Sequence, residues 1–152
     1  MDARKVYNLF KIHLDNRNFK YEPHDDDMVI TLTVTGEDLP QPTLIRVIED
    51  RQVVQILSPI PSKIPEDKRV DAAIAVSVAN YGMINGAFDY DFSDGEIRFR
   101  VAAGFRGAEL TDPDIEYLLG ITFHTTDRYN EKFFMLGKGL MTLEQFIQAE
   151  NA

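Results

Sequence analysis

Apolar and polar positions alternate on both sides of Asp94-Gly95 in the stretch NGAFDYDFSDGEIRFRV, residues 85–101. A period of two, broken by Asp-Gly, predicts a β-hairpin closed by a two-residue turn. That turn sets Phe92 opposite Ile97 and Tyr90 opposite Phe99, and pairs Asp91 with Arg98 and Asp89 with Arg100. One face is then apolar throughout (Phe88, Tyr90, Phe92, Ile97, Phe99, Val101), and the other carries two cross-strand acid–base pairs. A slip of one residue would turn every aromatic onto the charged side, so the register is strongly specified.

Ahead of this block, Val6, Leu9, Phe10, His13 and Leu14 recur at helical spacing behind Asp2, a capping residue, and Asn16 to Asn18 closes that helix. His13 sits at the edge of the apolar face, where a hydrogen-bonded structural role is expected. Phe19 to Pro23 reads as a short edge strand and His24 to Asp27 as a turn. Met28 to Thr35 alternates, with Ile30, Leu32 and Val34 on one side. Gly36 to Pro42 is a loop. Thr43 to Glu49 and Gln52 to Ser58 form a second hairpin across Asp50-Arg51. In the simplest register, Ile45, Val47, Val54 and Ile56 share one face. The other face mixes Leu44, Ile48, Val53 and Leu57 with Arg46 and Gln55. A sheet apolar on both sides must be covered twice, by its own helices and by a second subunit, a client or a loop of the same chain. Those six residues form the candidate protein-interaction surface.

Pro59 to Pro65 reads as a rigid connector. The helix after it carries Glu66 and Asp67 in its first turn and ends at Gly82. Val70, Ala73, Ile74, Ser77, Val78 and Tyr81 make its expected buried stripe, and Ala72, Ala75 and Ala79 allow close approach to a sheet. Thr111-Asp112-Pro113-Asp114 is a strong helix start. Ile115, Leu118, Leu119, Thr122, Thr126, Tyr129, Phe133 and Leu136 follow at spacings of three and four, with Gly120 expected to lie close to a strand. Gly137 and Gly139 end that helix. Thr142 to Gln145 is a capping box, with Met141 and Phe146 as a hydrophobic staple, opening a short helix over 142–150 that is stable only when docked. The order αββββαββαα lacks strand–helix alternation and predicts an α+β fold, an antiparallel sheet with helices packed on it.

At 152 residues the chain is expected to be one domain, with a core over residues 1–137. It has no Cys, which removes disulfide and thiolate chemistry and agrees with a reducing, cytoplasmic setting. No apolar run is long enough to span a membrane. The formal charge of −9 repels phosphate backbones, so nucleic-acid partners are not expected.

Little in the chain offers chemistry. Three consecutive acids after His24 cannot all point at one ion, and no calcium-loop spacing accompanies them, so the segment reads as a solvated hairpin tip. His124 has Asp127 three residues on but no serine in a strained elbow, and reads as a surface helix pair. The quartet Asp89, Asp91, Arg98 and Arg100 reads as the finish of a solvated sheet face. Neither a catalytic residue, a metal site nor a cofactor is expected.

At its centre the chain resembles the YbjN family of small bacterial proteins, to which a role in regulating sensory transduction is ascribed. The likeness rests on a helix ending in Asn80-Tyr81, on Gly86-x-Phe88-x-Tyr90-x-x-Ser93-Asp94-Gly95-x-Ile97-x-Phe99-Arg100, and on Thr126-Asp127-Arg128-Tyr129 in the long helix. It covers residues 66–137. The resemblance implies a fold similar to type III secretion chaperones, which are small, acidic, dimeric and non-enzymatic, and it brings no site residues. The function expected is a non-enzymatic protein-interaction module, chaperone-like or regulatory, acting as a homodimer. The alternatives are a dedicated secretion chaperone for one effector, and a small-ligand binder or enzyme using a pocket between the long helix and the sheet.

Overall fold

The computed structural model describes residues 1–36 and 39–151. Asp2 caps α1 (Ala3–Asn16), its carboxylate accepting the Lys5 N–H at 3.0 Å. Val6, Phe10, His13 and Leu14 are buried as their spacing predicts, and Tyr7 joins them. Strands β1 (Glu22–His24), β2 (Val29–Thr35), β3 (Pro40–Ile48) and β4 (Val53–Pro59) follow. The expected loop from Gly36 is cut short because β3 begins at Pro40; its Glu37 and Asp38 lie outside the described residues. A helical turn at Glu66–Lys68 enters α2 (Arg69–Tyr81), and β5 (Ala87–Asp91), β6 (Glu96–Gly104), α3 (Asp112–Gly137) and α4 (Leu143–Glu150) complete the chain. The architecture is α+β, in the order expected.

The strands form one antiparallel six-stranded sheet, ordered β1-β2-β3-β4-β6-β5. Its inner face buries Ile30, Leu32, Ile45, Val47, Val54, Ile56, Phe88, Ile97, Phe99 and Val101 beneath the helices. α3 lies across β3, β4 and β6, while α1 packs on β3 and α2 on β5. All eight residues of the expected α3 stripe are buried. The expected capping box forms at Thr142 with Gln145 on α4, and the strong start of α3 proves to be one as well, Thr111 with Asp114. Phe146 docks α4, fully buried and stacked 5.4 Å from Phe133.

Three expectations need correction. The β5–β6 hairpin closes through four residues, Phe92 to Gly95, so Asp91 faces Glu96, Tyr90 faces Ile97 and Phe88 faces Phe99. Phe92 therefore does not meet Ile97; it stands 56% exposed at the tip. The slip is two residues, which preserves the parity of the side chains and hence the apolar face. Side-chain chemistry decides it: Asp91 Oδ1 accepts from the Ser93 N–H and hydroxyl, and Asp94 Oδ1 accepts from the Glu96 N–H. Only Gly95 takes a positive φ (81°), whereas a two-residue I′ turn needs one at Asp94 as well.

The second correction concerns the rotation of α2. Its buried residues are Ala72, Ala75, Val76 and Ala79, whereas Val70, Ile74 and Tyr81 are 63%, 43% and 95% exposed. The small residues face the sheet because they let the helix axis come close. The third is Gly120, which is exposed with open space around it and approaches no strand.

Candidate functional site

The hairpin from β3 to β4 has the register expected: Leu44 faces Leu57, Arg46 faces Gln55 and Ile48 faces Val53. These six side chains lie on the outer side of the sheet, opposite the buried set, and among the described residues the helices pack on the buried side. Leu44, Ile48 and Val53 are half-buried, Leu57 is 8% exposed, and Arg46 is exposed. Arg46 Nε donates to Gln55 Oε1 at 2.7 Å, laying its stem toward β4.

Pairing of β4 with β6 brings further residues to this face. Leu57 faces Arg100 and Pro59 faces Arg98, while Arg98 faces Asp89 on β5. Asp89 accepts from Arg100 Nε at 2.8 Å and Nη2 at 3.0 Å, and from Arg98 Nε at 3.3 Å. The Arg100 hydrogen bonds hold the Asp89 carboxyl below the usual carboxylate range, against a smaller opposing effect of burial. The expected Asp89–Arg100 pair forms, on the diagonal and not directly across, and Asp89 also takes Arg98; the expected Asp91–Arg98 pair does not form, because Asp91 faces Glu96. Toward β1 the face holds an open hollow of about 490 Å³ bounded by Tyr21, Thr31, Thr33, Pro42, Leu44 and Pro59. The contribution of Arg98, Arg100 and Pro59 was not legible beforehand, because β4 and β6 pair across an intervening helix and hairpin.

On the helical side a cleft of about 740 Å³ opens between α3, α4 and the segment after α2. Tyr81, Ile84, Tyr117, Ile121, His124 and Arg128 are among its walls. It lies between helices, not between the long helix and the sheet where a pocket was expected. At its base Tyr129 donates to Glu150 at 2.7 Å, and burial first, then that bond, pushes the phenol up to about 12. His124 is exposed on the cleft wall.

His13 has the structural role expected. It is 2% exposed, with Nδ1 at 2.7 Å from Asp112 and Nε2 at 3.1 Å from Glu116, and it fastens α1 to the start of α3. Arg17, at the C-terminal cap of α1, reaches Glu116 at 2.7 Å. At the His24–Asp27 segment, Asp25 accepts from Tyr7 and Lys11. Among the described residues no three His, Asp or Glu side chains are grouped to hold a metal ion, and no helix is long and apolar enough to cross a membrane.

Compared with protein-family models, residues 8–135 match YbjN, described as "Putative bacterial sensory transduction regulator". The chain belongs to the YbjN family. Two solved structures share its fold. One is "YbjN, a putative transcription regulator from E. coli", with a TM-score of 0.59, 8% identity, and 80% of this chain and 86% of that one covered. The other is the ExsC–ExsE complex, with a TM-score of 0.59, 12% identity, and 86% and 96% covered. The fold is secretion chaperone-like, as the resemblance implied. No curated protein matches the chain.

Proposed function

We propose that this protein acts by binding another protein across the outer face of its sheet, as a chaperone-like or regulatory module of the cytoplasm, and that it works as a homodimer. The observation that carries the reading is that face itself. Among the described residues the helices pack on one side of the six-stranded sheet, and the other side presents half-buried Leu44, Ile48 and Val53 around Leu57, which its neighbours already cover. Apolar surface left in water favours association by roughly 25 cal/mol for each Å² covered. That one solved relative of this fold is a complex of two proteins supports the same reading.

The homodimer has a separate surface to use. Val70, Ile74 and Tyr81 form an exposed stripe along α2, with Ile84 (fully exposed) beyond its end and Phe92 near its start. The stripe is apolar without a charged centre, which suits a two-fold contact in which each patch meets itself.

The test is Ile48→Asp, with partner capture and mass measured together. The variant is expected to keep its circular dichroism and its mass while losing captured protein. Unchanged capture overturns the reading.

A second reading rests on the helical cleft, whose volume and apolar walls fall in the range of small-ligand sites. A metabolite that raises the unfolding midpoint of the wild type, but not of Tyr117→Asp, would favour it.

A further inference from the structure

The middle of the outer sheet face gathers arginines in a chain that is acidic as a whole. The chain carries a formal −9, yet the middle of this face presents Arg46, Arg98 and Arg100 against one carboxylate, Asp89. Its other acids stand at the margins, Glu22 on the edge strand and Asp91 and Glu96 beside the hairpin turn. Asp89 occupies two donors of Arg100 and the Nε of Arg98, and Arg46 gives its Nε to Gln55. Among the described residues, the terminal nitrogens of Arg46 and Arg98 have no hydrogen-bonded carboxylate. These guanidiniums adjoin apolar residues on one side: Arg100 faces Leu57, Arg98 faces Pro59, and the hollow under Pro42 and Leu44 opens next to them, while Asp91 and Glu96 share a hollow with Arg98 and Asp89 on the hairpin side.

We infer that this face takes an acidic, extended segment of a partner protein. The inference rests on the reading that the face is a partner surface, and it assigns the partner's chemistry. Apolar side chains of the segment cover Leu44 and Leu57 and fill the hollow, while its carboxylates pair with Arg46, Arg98 and Arg100. Guanidinium–carboxylate pairs flanked by apolar surface are less screened than pairs in open water and set register as well as affinity. A second copy is the poorer occupant, because a two-fold axis through the face lays the arginine cluster against itself. The acids at the margins of the face and over the rest of the surface repel such a segment, which confines it to the central arginines.

Three fluorescein-labelled peptides of about ten residues, alternating Val with Glu, Gln or Lys, test the inference by anisotropy on the full chain, the length being that of a strand crossing the sheet. The Glu peptide is expected to bind at least about tenfold tighter than the Gln peptide, and the Lys peptide more weakly than either. In Arg98→Gln/Arg100→Gln the Glu preference should vanish. Arg46→Gln, which lies outside the Asp89 pairs, should reduce it about threefold even if the double variant fails to fold. Equal binding of all three peptides, abolished by Ile48→Asp, would overturn the charge assignment and leave the partner surface standing. Binding indifferent to Ile48→Asp would overturn both. Absence of Glu-peptide binding, or tighter binding of a single-stranded oligonucleotide, would also sink the acidic-segment assignment.

Discussion

The side-chain amide of Asn80 closes on the backbone of Phe88 from both ends. Nδ2 donates to the Phe88 carbonyl at 3.0 Å, and Oδ1 accepts the Phe88 N–H at 2.8 Å. β5 is the last strand of the sheet, so its outward-facing backbone groups have no further strand to pair with. Asn80 stands in for that strand at one residue and fixes the C-terminal end of α2 over the sheet edge. Asn80→Ala leaves both Phe88 groups without this partner and should cost about 2 kcal/mol, read as a lowered urea midpoint. Asn80→Asp keeps the acceptor but loses the donor, and should fall between.

The hairpin tip is held from outside as well. Ile64 donates its N–H to the Gly95 carbonyl at 2.8 Å, and a Cβ on Gly95 would run into the Ile64 backbone. Gly107 also has a positive φ, 69°, but open space around it. Gly107→Ala should therefore cost only the left-handed strain, about 1 kcal/mol. Gly95→Ala should cost at least about 3 kcal/mol, because the connector must move too. Equal losses in paired urea melts would show that the connector yields freely.

α2 offers a sharper contrast within one turn. Ile74→Asp alters a residue 43% exposed on the stripe, whereas Ala75→Asp puts a charge where the side chain is fully buried. The first is expected to change the mass in sedimentation equilibrium from dimer to monomer with under about 1 kcal/mol of lost monomer stability. The second should prevent folding, since a buried carboxylate finds no partner there. A monomeric wild type at tens of micromolar would remove the dimer from the account.

These elements also show where the pattern of residues could be read and where it could not. On α3 the stripe from Ile115 to Leu136 recurs at one angle and all of it is buried, so periodicity alone located the face. On α2 Val70, Ile74 and Tyr81 mark the exposed side, because the buried side takes three alanines and Val76, which let the helix come close. Periodicity weights Ile above Ala and so turned that helix the wrong way. The β3–β4 register followed from a short local turn, and with it Leu44, Ile48, Val53 and Leu57. The arginines beside them arrive through β6, more than forty residues along, and no local pattern reveals that pairing.

Alkaline pH should loosen the fold in a defined window. Tyr7, Tyr21 and Tyr129 are each pushed up to about 12, first by burial and then by hydrogen bonds to Asp25, Asp15 and Glu150. The folded chain thus holds these protons more tightly than the unfolded chain, whose phenols ionise near 10. Their contribution is complete below about pH 10 and is lost as pH rises toward about 12. Urea midpoints should fall across that window, while ultraviolet titration shows part of the tyrosine absorbance ionising late. A phenolate titration with no late component would contradict the placement of these rings.

The terminal helix supplies the last test, because α4 lies beyond the residues that match the family model and yet closes the core. Phe146 is fully buried on Phe133, and Glu150 takes hydrogen bonds from Tyr129 and Lys132 at 2.7 and 3.3 Å. Phe146→Ala should cost about 3–4 kcal/mol and expose the α4 segment to limited proteolysis ahead of global unfolding, since an eight-residue helix does not hold without its dock. Glu150→Gln removes the negative charge that raises the Tyr129 phenol, whereas burial, the larger cause, remains. Its phenol should then ionise earlier than in the wild type but still later than an exposed tyrosine. If Phe146→Ala leaves both stability and proteolysis unchanged, α4 is an appendage and the cleft beside it is not a built feature of the fold.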